Sequence, residues 1–516
     1  MQQSQSKRQV GGILGFIERI GNKIPDITIL FISAFLLVCV VSAVLAQIHF
    51  NYVHPATGRP IEITNMLSGK ALVDLMSKMV TNYANFPPLS MVIVATLGIG
   101  IADGSGYINT GLKKILSITP KVLITPVVIL VGMLSHLGPD SGYVIIIPIA
   151  AYMFYAVGKH PLAGIAASFA GIAGAFAANY TPSAIDPVIQ GFTQSAAQII
   201  DPGYQVNVLC NYFYAFASTF IVIGACWWVT EKITNPWLWK ACPLDDDLDL
   251  GNENNSSITP SENRAFKIAT AVLLLMLTGL AAALYPADSI LRAPDGVIAS
   301  FKAPIMQSIV SLIFIFAALV GLVYGIACGK FKSPKDVTAA MEEITKTLVQ
   351  LIVFYFFAAQ FLYAFGASNM GALIAVSGAE FLKSLNLPPQ VTVFGIIVFV
   401  ALLNLIITSA SAKWAILAPI FVPMLMAVGI APELTQVAFR VSDSAVNVVT
   451  PMFAFYPLII LYCQKYVKNA GIGTLSSMML PYTIALLVSL TFMLYLFWWL
   501  DIPLGFQADY VYPRRF

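Results

Sequence analysis

The chain has 516 residues, 58% hydrophobic and only 10% charged, with a mean hydropathy of +0.81. Soluble domains are about half apolar and about a quarter charged, so a water-soluble enzyme or binding module is excluded and an integral membrane protein is expected. A net charge of +3 over this length gives no purchase for a nucleic acid.

In chain order, residues 1–28 carry Lys7, Arg8, Arg19 and Lys23 and have no small-residue cleavage site after a short apolar core. They read as a cytoplasmic tail with an amphipathic lead-in. A membrane crossing needs about 20 mostly apolar residues. Segments 29–48, 89–108, 162–180, 208–229, 266–284, 304–328, 347–365, 434–463 (long and interrupted) and 480–500 meet that, giving about nine transmembrane helices. Two further apolar stretches, about 122–157 and 391–430, break at "SHLGPDSG" and "TSASAK". Each arm is short for a crossing. Backbone leaves helical geometry at membrane depth only under cover of protein or beside a water-filled cavity, so two re-entrant hairpins are expected. A polar linker, 242–265, separates a first half (29–241) from a second (266–516). Lys113, Lys114, Lys121, Lys159, Lys330, Lys332, Lys335, Lys346, Lys465 and Lys468 all fall on the cytoplasmic side if the first hairpin enters from inside and the second from outside.

The two broken stretches resemble each other. "DSGYVIIIPIAAYMFYAVGKHP" (140–161) aligns without a gap to "SAKWAILAPIFVPMLMAVGIAP" (411–432). Pro148 meets Pro419, Met153 meets Met424, both copies contain "AVG", Pro161 meets Pro432, and Tyr143 meets Trp414. Further on, "NYTP" (179–182) meets "VVTP" (448–451) after a two-residue change in length. Two copies entering from opposite sides form an inverted repeat, the architecture of carriers with a midplane site and alternating access. The expected fold is an all-α polytopic membrane protein of about nine spans plus two re-entrant hairpins. The spans are expected to unwind near 179–182 and 447–451.

Ionisable groups inside spans are costly and usually functional. Arg440 and Asp443, three apart, share a helix face with Asn447. They either tie helices together as a buried pair or serve transport, with Arg440 gripping a carboxylate and Asp443 exchanging a proton. Desolvation favours a protonated aspartate and a nearby arginine opposes it, so spacing leaves that balance open. Asp186 is the matching carboxylate in the first half, beside Asn179, Thr181 and Pro182; its alternative is a helix cap or a surface-loop aspartate. Ser409 and Ser411 offer hydroxyls and turn amides to an anion. Trp414 is placed to stack on an aromatic ring, or else belongs to an interfacial belt. Lys413 either attracts anions or snorkels. His136 and Asp140 at the first tip are weaker candidates. Pro182, Pro432 and Pro451 mark helix breaks or hinges. The four histidines have no metal spacing, no phosphate-binding glycine loop is present, and the six cysteines form no paired motif. No enzyme and no cofactor is therefore expected, and an ion gradient is the expected energy source. Protons through Asp443 or Asp186 are preferred; sodium at Asn179, Thr181 and tip carbonyls is the alternative.

"ERIGNKIP", "GKHPLAG", "IDPVIQGFTQSAAQII", "SASAKWAILAPIFVPMLM", "FRVSDSAVNVVTPM" and "AGIGTLSSMMLPY" resemble the AbgT family of p-aminobenzoyl-glutamate transporters, nearly end to end. Within it they are most similar to the branch associated with export of sulfonamide antimetabolites. The resemblance implies a homodimer of nine-span subunits in a bacterial inner membrane. It also implies that Asp186, Ser411, Trp414, Pro432, Arg440, Asp443 and Pro451 match positions tied to transport. The first tip, "SHLGPDSG", departs from the family pattern. The expected function is secondary active transport of p-aminobenzoyl-glutamate or sulfonamide-type compounds, with efflux driven by protons. A sodium-coupled dicarboxylate importer and an anion channel are the alternatives.

Overall fold

The computed structural model describes residues 26–53, 58–137, 141–245, 258–300 and 302–513. Most of the basic tail, residues 138–140 with Asp140, and half of the linker (246–257) lie outside the described residues. The described residues are helical apart from turns, loops and two isolated bridges, Val53 with Pro60 and Ile430 with Val511.

Helix α1 (Ile27–Leu45) starts where the Asp26 side chain accepts the Thr28 N–H. An amphipathic α2 (Gly69–Ala84) runs into α3 (Pro87–Ser105). Helix α4 (Tyr107–Ser117) leads to the first hairpin, α5 (Ile124–Leu134) and α6 (Ser141–Ala156). There follow α7 (Pro161–Phe169, extended by a π turn, Ala170–Gly174), α8 (Ile185–Ala197) and α9 (Tyr212–Val229). A second π turn, Thr230–Thr234, joins α9 to α10 (Asn235–Ala241). Helix α11 (Pro260–Leu284) opens with a reciprocal cap between Thr259 and Glu262, which satisfies amides that a helix start leaves bare. Then come α12 (Ile309–Ala327), α13 (Pro334–Ala367), α14 (Met370–Ser384) and the second hairpin, α15 (Pro389–Asn404) and α16 (Ala410–Met426). The chain closes with α17 (Pro432–Val446), α18 (Tyr456–Gln464) and α19 (Ile472–Trp499).

Seven segments among the described residues are long and apolar enough to cross a membrane uninterrupted. Reading α7 with α8 and α17 with α18 as interrupted spans brings the crossings among the described residues to nine. Their helical parts stop earlier than expected: α7 and its π turn end at Gly174, six residues before the span end read from hydropathy. From there to α8 the chain is non-helical, and Pro182 within that stretch supplies no amide donor. The arms of both hairpins are too short to cross, as expected.

The repeat is wider in space than in sequence. Each hairpin is preceded by a short helix folded back on it: α4 meets the helix over Lys121–Leu134 at 120°, and α14 meets α15 at 117°. Both "AVG" glycines adopt left-handed backbone, Gly158 at φ 78° and Gly429 at φ 88°, a conformation that costs other residues about 1–2 kcal/mol. Each turn is closed by the same hydrogen bond. Lys159 N–H donates to the Phe154 carbonyl, and Ile430 N–H to the Leu425 carbonyl, both at 2.9 Å. Pro161 and Pro432 then occupy the first helical turn, where a missing N–H costs nothing.

The two turns sit at opposite ends of the molecule. At the start of α9, Asn211 Nδ2 donates to the Glu433 carbonyl, just past Gly429. Past the far end of α10, the Cys242 carbonyl meets His160 Nε2, just past Gly158. The 30-residue stretch between them spans about 45 Å, a whole membrane thickness. The hairpin–span units are therefore inverted. The described ends of the linker return to the Gly158 side: Asp245 accepts the Lys468 N–H at 2.7 Å, and Asn263 accepts Lys114 Nζ at 2.7 Å.

Candidate functional site

The hairpin tips and the span breaks converge. Tyr143, at the first tip, stacks on Phe455 in the second break with centroids 4.2 Å apart. Its sequence counterpart Trp414 reaches the opposite half: its indole N–H donates to Thr193 Oγ1 on α8 at 2.9 Å. Each copy's aromatic thus anchors its tip on the other copy's broken span.

Four charges are buried here in two ion pairs. Arg440 Nη1 lies 2.7 Å from Asp186 Oδ1, and Lys413 Nζ lies 2.6 Å from Asp443 Oδ1. The same-face reading of Arg440 and Asp443 is correct for α17, but they do not pair with each other. Arg440 crosses to the first half and Asp443 turns to the second tip. Asp186 is buried in the first turn of α8, whose cap position is Ala184, so it is not the helix cap; its Oδ2 accepts Ser183 N–H at 2.7 Å and Ser183 Oγ–H at 3.0 Å, which fixes the carboxylate against the turn before the helix. Lys413 is fully buried and does not snorkel. Its ammonium also donates to Asn404 Oδ1, while Asn404 Nδ2 holds the Asp443 backbone carbonyl at 2.7 Å. Burying charges is tolerable only with such pairing and hydrogen bonding. Arg440 Nη2, Asn447 Oδ1 and Ser444 Oγ have no hydrogen-bond partner although buried, and unmet donors and acceptors at membrane depth mark a place prepared for something else.

Trp414 is fully buried, which removes the belt alternative, and its ring stacks on Phe439 at 4.4 Å. In this conformation the indole is closed off from ligand. Beneath it runs a polar chain that sequence reading did not single out. Thr193 Oγ1 donates to Gln436 Oε1 at 2.6 Å, Gln436 Nε2 donates to Asn211 Oδ1 at 2.6 Å, and Tyr204 OH donates to the Glu433 carboxylate at 2.9 Å. Thr193 on α8 and Glu433 and Gln436 on α17, polar residues within membrane-buried helices, were the available signal.

A cavity of about 400 Å³ lies between the tips. Ser135, His136 and Tyr143 of the first tip line it, with Asn179 and Ser183 of the first break, Ser411 of the second tip, and Tyr355 of α13. Tyr355 was not foreseen; its buried hydroxyl has no partner. His136 latches the first tip to the break: Nδ1 is 2.8 Å from Asn179 Oδ1 and Nε2 is 2.6 Å from the Ile172 carbonyl. Ser409, exposed, caps α16 by accepting the Ala412 N–H. Thr181 is exposed, apart from Asn179, which is buried. Pro182 and Pro451 lie in the breaks, whereas Pro432 starts α17 rather than breaking a span. Among the described residues no three metal-binding side chains of His, Cys, Asp or Glu type cluster.

Comparison with known proteins follows the same lines. The AbgT putative transporter family matches residues 12–512. The p-aminobenzoyl-glutamate transport protein of Escherichia coli (strain K12) is 32% identical over 511 residues, covering 99% of this chain and 98% of that protein. The crystal structure of the YdaH transporter of Alcanivorax borkumensis superposes with a TM-score of 0.87 at 37% identity, covering 93% of this chain and all of that one. MtrF of Neisseria gonorrhoeae, whose structure is described as illuminating a class of antimetabolite efflux pumps, superposes with a TM-score of 0.90 at 39% identity, covering 96% of this chain and all of its own. With its inverted hairpins, broken spans and matched length, this chain belongs to the AbgT putative transporter family.

Proposed function

We propose that the protein is a proton-coupled secondary carrier of p-aminobenzoyl-glutamate and of sulfonamide-type antimetabolites, working in efflux across a bacterial inner membrane, with its N-terminus cytoplasmic. One observation carries the reading: two buried ion pairs, Arg440 with Asp186 and Lys413 with Asp443, flank the region where both tips and both breaks meet. Arg440 takes a substrate carboxylate, its unmatched Nη2 supplying a second donor for a bidentate grip. After substrate leaves on the outer side, a proton arriving on Asp443 or Asp186 removes the countercharge of Lys413 or Arg440 and lets the empty carrier return. Loss of that proton to the cytoplasm restores the ion pair, so a proton moves in as a substrate moves out. The 400 Å³ cavity suits an aminobenzoyl compound, with Ser411 and Tyr355 as hydrogen-bond donors and Trp414 as an aromatic wall once the tip opens. The relatives named for p-aminobenzoyl-glutamate transport and for antimetabolite efflux support the substrate class. The working unit is a homodimer; α11, with 6% of its apolar window buried, is the least covered span and the face offered to a second copy or to lipid.

The test is uptake of labelled p-aminobenzoyl-glutamate into proteoliposomes under a pH gradient or a sodium gradient imposed separately. Accumulation driven by the pH gradient alone, and lost in Asp443→Ala or Asp186→Ala, supports the proposal. Accumulation driven by sodium alone replaces the proton with a cation site at Asn179. Flux that runs only downhill, without saturation, replaces the carrier with an anion channel.

A further inference from the structure

At the Gly158 end, away from the transport site, a second cavity of about 670 Å³ opens between the first hairpin and the α9–α10 helix. Its lining has two characters. One part is cationic: Lys121, Lys159 and Lys232, against a single carboxylate, Glu231. Glu231 is already held, 2.5 Å from Lys159 Nζ and 2.5 Å from Thr125 Oγ1. Among the described residues neither Lys121 nor Lys232 has a carboxylate within salt-bridge distance, so two positive charges are left over at this rim. The other part is apolar and aromatic: Val122, Val157, Trp227 and Trp228, with Val122 78% and Trp228 57% exposed. Gly224 lies one turn from both Phe220 and Trp228 on α9, and a Cβ there would meet nothing within 4 Å. The exposed Phe220 and Trp228 therefore flank a notch running along the helix away from the lysines.

We propose that this cavity is a binding site for an anionic phospholipid, its phosphate headgroup held by Lys121 and Lys232 and an acyl chain laid in the Gly224 notch. A soluble anion has no use for the aromatic groove, and a zwitterionic lipid brings an ammonium that the lysines repel. An acidic headgroup with a hydrocarbon tail satisfies both parts, and basic pockets between membrane helices take such headgroups. Tryptophan is suited to the level where tail and headgroup meet. The site ties the first hairpin to α9 through Lys159 and Glu231, so a bound lipid bears on the hairpin.

Quenching of tryptophan fluorescence by brominated lipid reads occupancy directly, using the full-length purified protein in mixed bilayers. Brominated phosphatidylglycerol is compared with brominated phosphatidylcholine at equal mole fraction. The expected result is preferential quenching by phosphatidylglycerol, each lysine removed in Lys121→Gln and Lys232→Gln lowering the preference about fivefold. Gly224→Phe fills the notch without altering charge and is expected to weaken quenching by both lipids. Equal quenching by the two lipids in wild type, or a preference untouched in the double lysine variant, overturns the proposal. Loss of the preference on adding inorganic phosphate also overturns it, in favour of a soluble-anion site. All three variants are on the exposed rim, and p-aminobenzoyl-glutamate binding in detergent checks that each is folded.

Discussion

Arg440 on α17 and Asp186 at the start of α8 join the two inverted halves through one ion pair of 2.7 Å, buried beside the points where both spans unwind. A pair that bridges two halves is disturbed by any movement that separates them.

Structural and transport roles of this pair separate in a double-variant experiment. Arg440→Ala or Asp186→Ala alone leaves one buried charge uncompensated and is expected to lower stability by about 3–5 kcal/mol. The neutral pair Asp186→Asn with Arg440→Gln recovers most of that, read as thermal unfolding in detergent, but leaves proton-driven uptake abolished. Uptake returning with stability would reduce the pair to a strut.

Substrate chemistry gives a second prediction. p-Aminobenzoyl-glutamate carries two carboxylates that sulfonamides lack. Removing the guanidinium in Arg440→Lys, which keeps charge but not the fork, is expected to weaken p-aminobenzoyl-glutamate binding on the order of tenfold to a hundredfold. Binding of a sulfonamide is expected to change far less. Trp414→Ala is expected to hit the sulfonamide harder. Competition binding with both ligands checks this, and equal losses for both would remove Arg440 from the carboxylate site.

Asp443 and Lys413 are expected to govern coupling. In Asp443→Asn, exchange of substrate between the two sides of a proteoliposome continues, while accumulation against a gradient stops and no pH change accompanies transport. Coupled alkalinisation in that variant would pass the proton to Asp186.

The two "AVG" turns should respond alike. Gly158→Ala and Gly429→Ala each force a side chain into left-handed backbone, at φ 78° and 88°. Each is expected to destabilise by about 1–2 kcal/mol. At neither position would the new Cβ clash, its nearest neighbour being the Tyr512 carbonyl 3.6 Å from Gly429, so unfolding midpoints report conformational strain alone. A difference well beyond 1 kcal/mol between the two would mean that the copies are not equivalent at their turns.

Much of this was legible in the sequence because hydrophobic length, proline and glycine act locally. The nine spans, both hairpins and the unwound points follow from runs of apolar residues and from Thr181-Pro182 and Thr450-Pro451. Helices α4 and α14 escaped because their polarity is mixed and the bends after them are set by packing. The partners of the charges escaped for a different reason. Spacing along α17 shows that Arg440 and Asp443 share a face, yet what they face belongs to chain segments far away in sequence. Trp414 read as a ligand platform because its position was known and its neighbours were not; Phe439 and Thr193 cover it.

The latch at His136 gives the two gates different characters. The first tip is fastened by an imidazole to Asn179 and to the Ile172 carbonyl, groups that water can replace at little cost. The second is fastened by the Lys413–Asp443 ion pair, which no solvent molecule can substitute while it stays dry. A symmetric machine would idle equally on either side of the membrane. On the carrier reading proposed above, this one is expected to have a parking position, with the first gate the easier to open and the second moving only when a charge is cancelled.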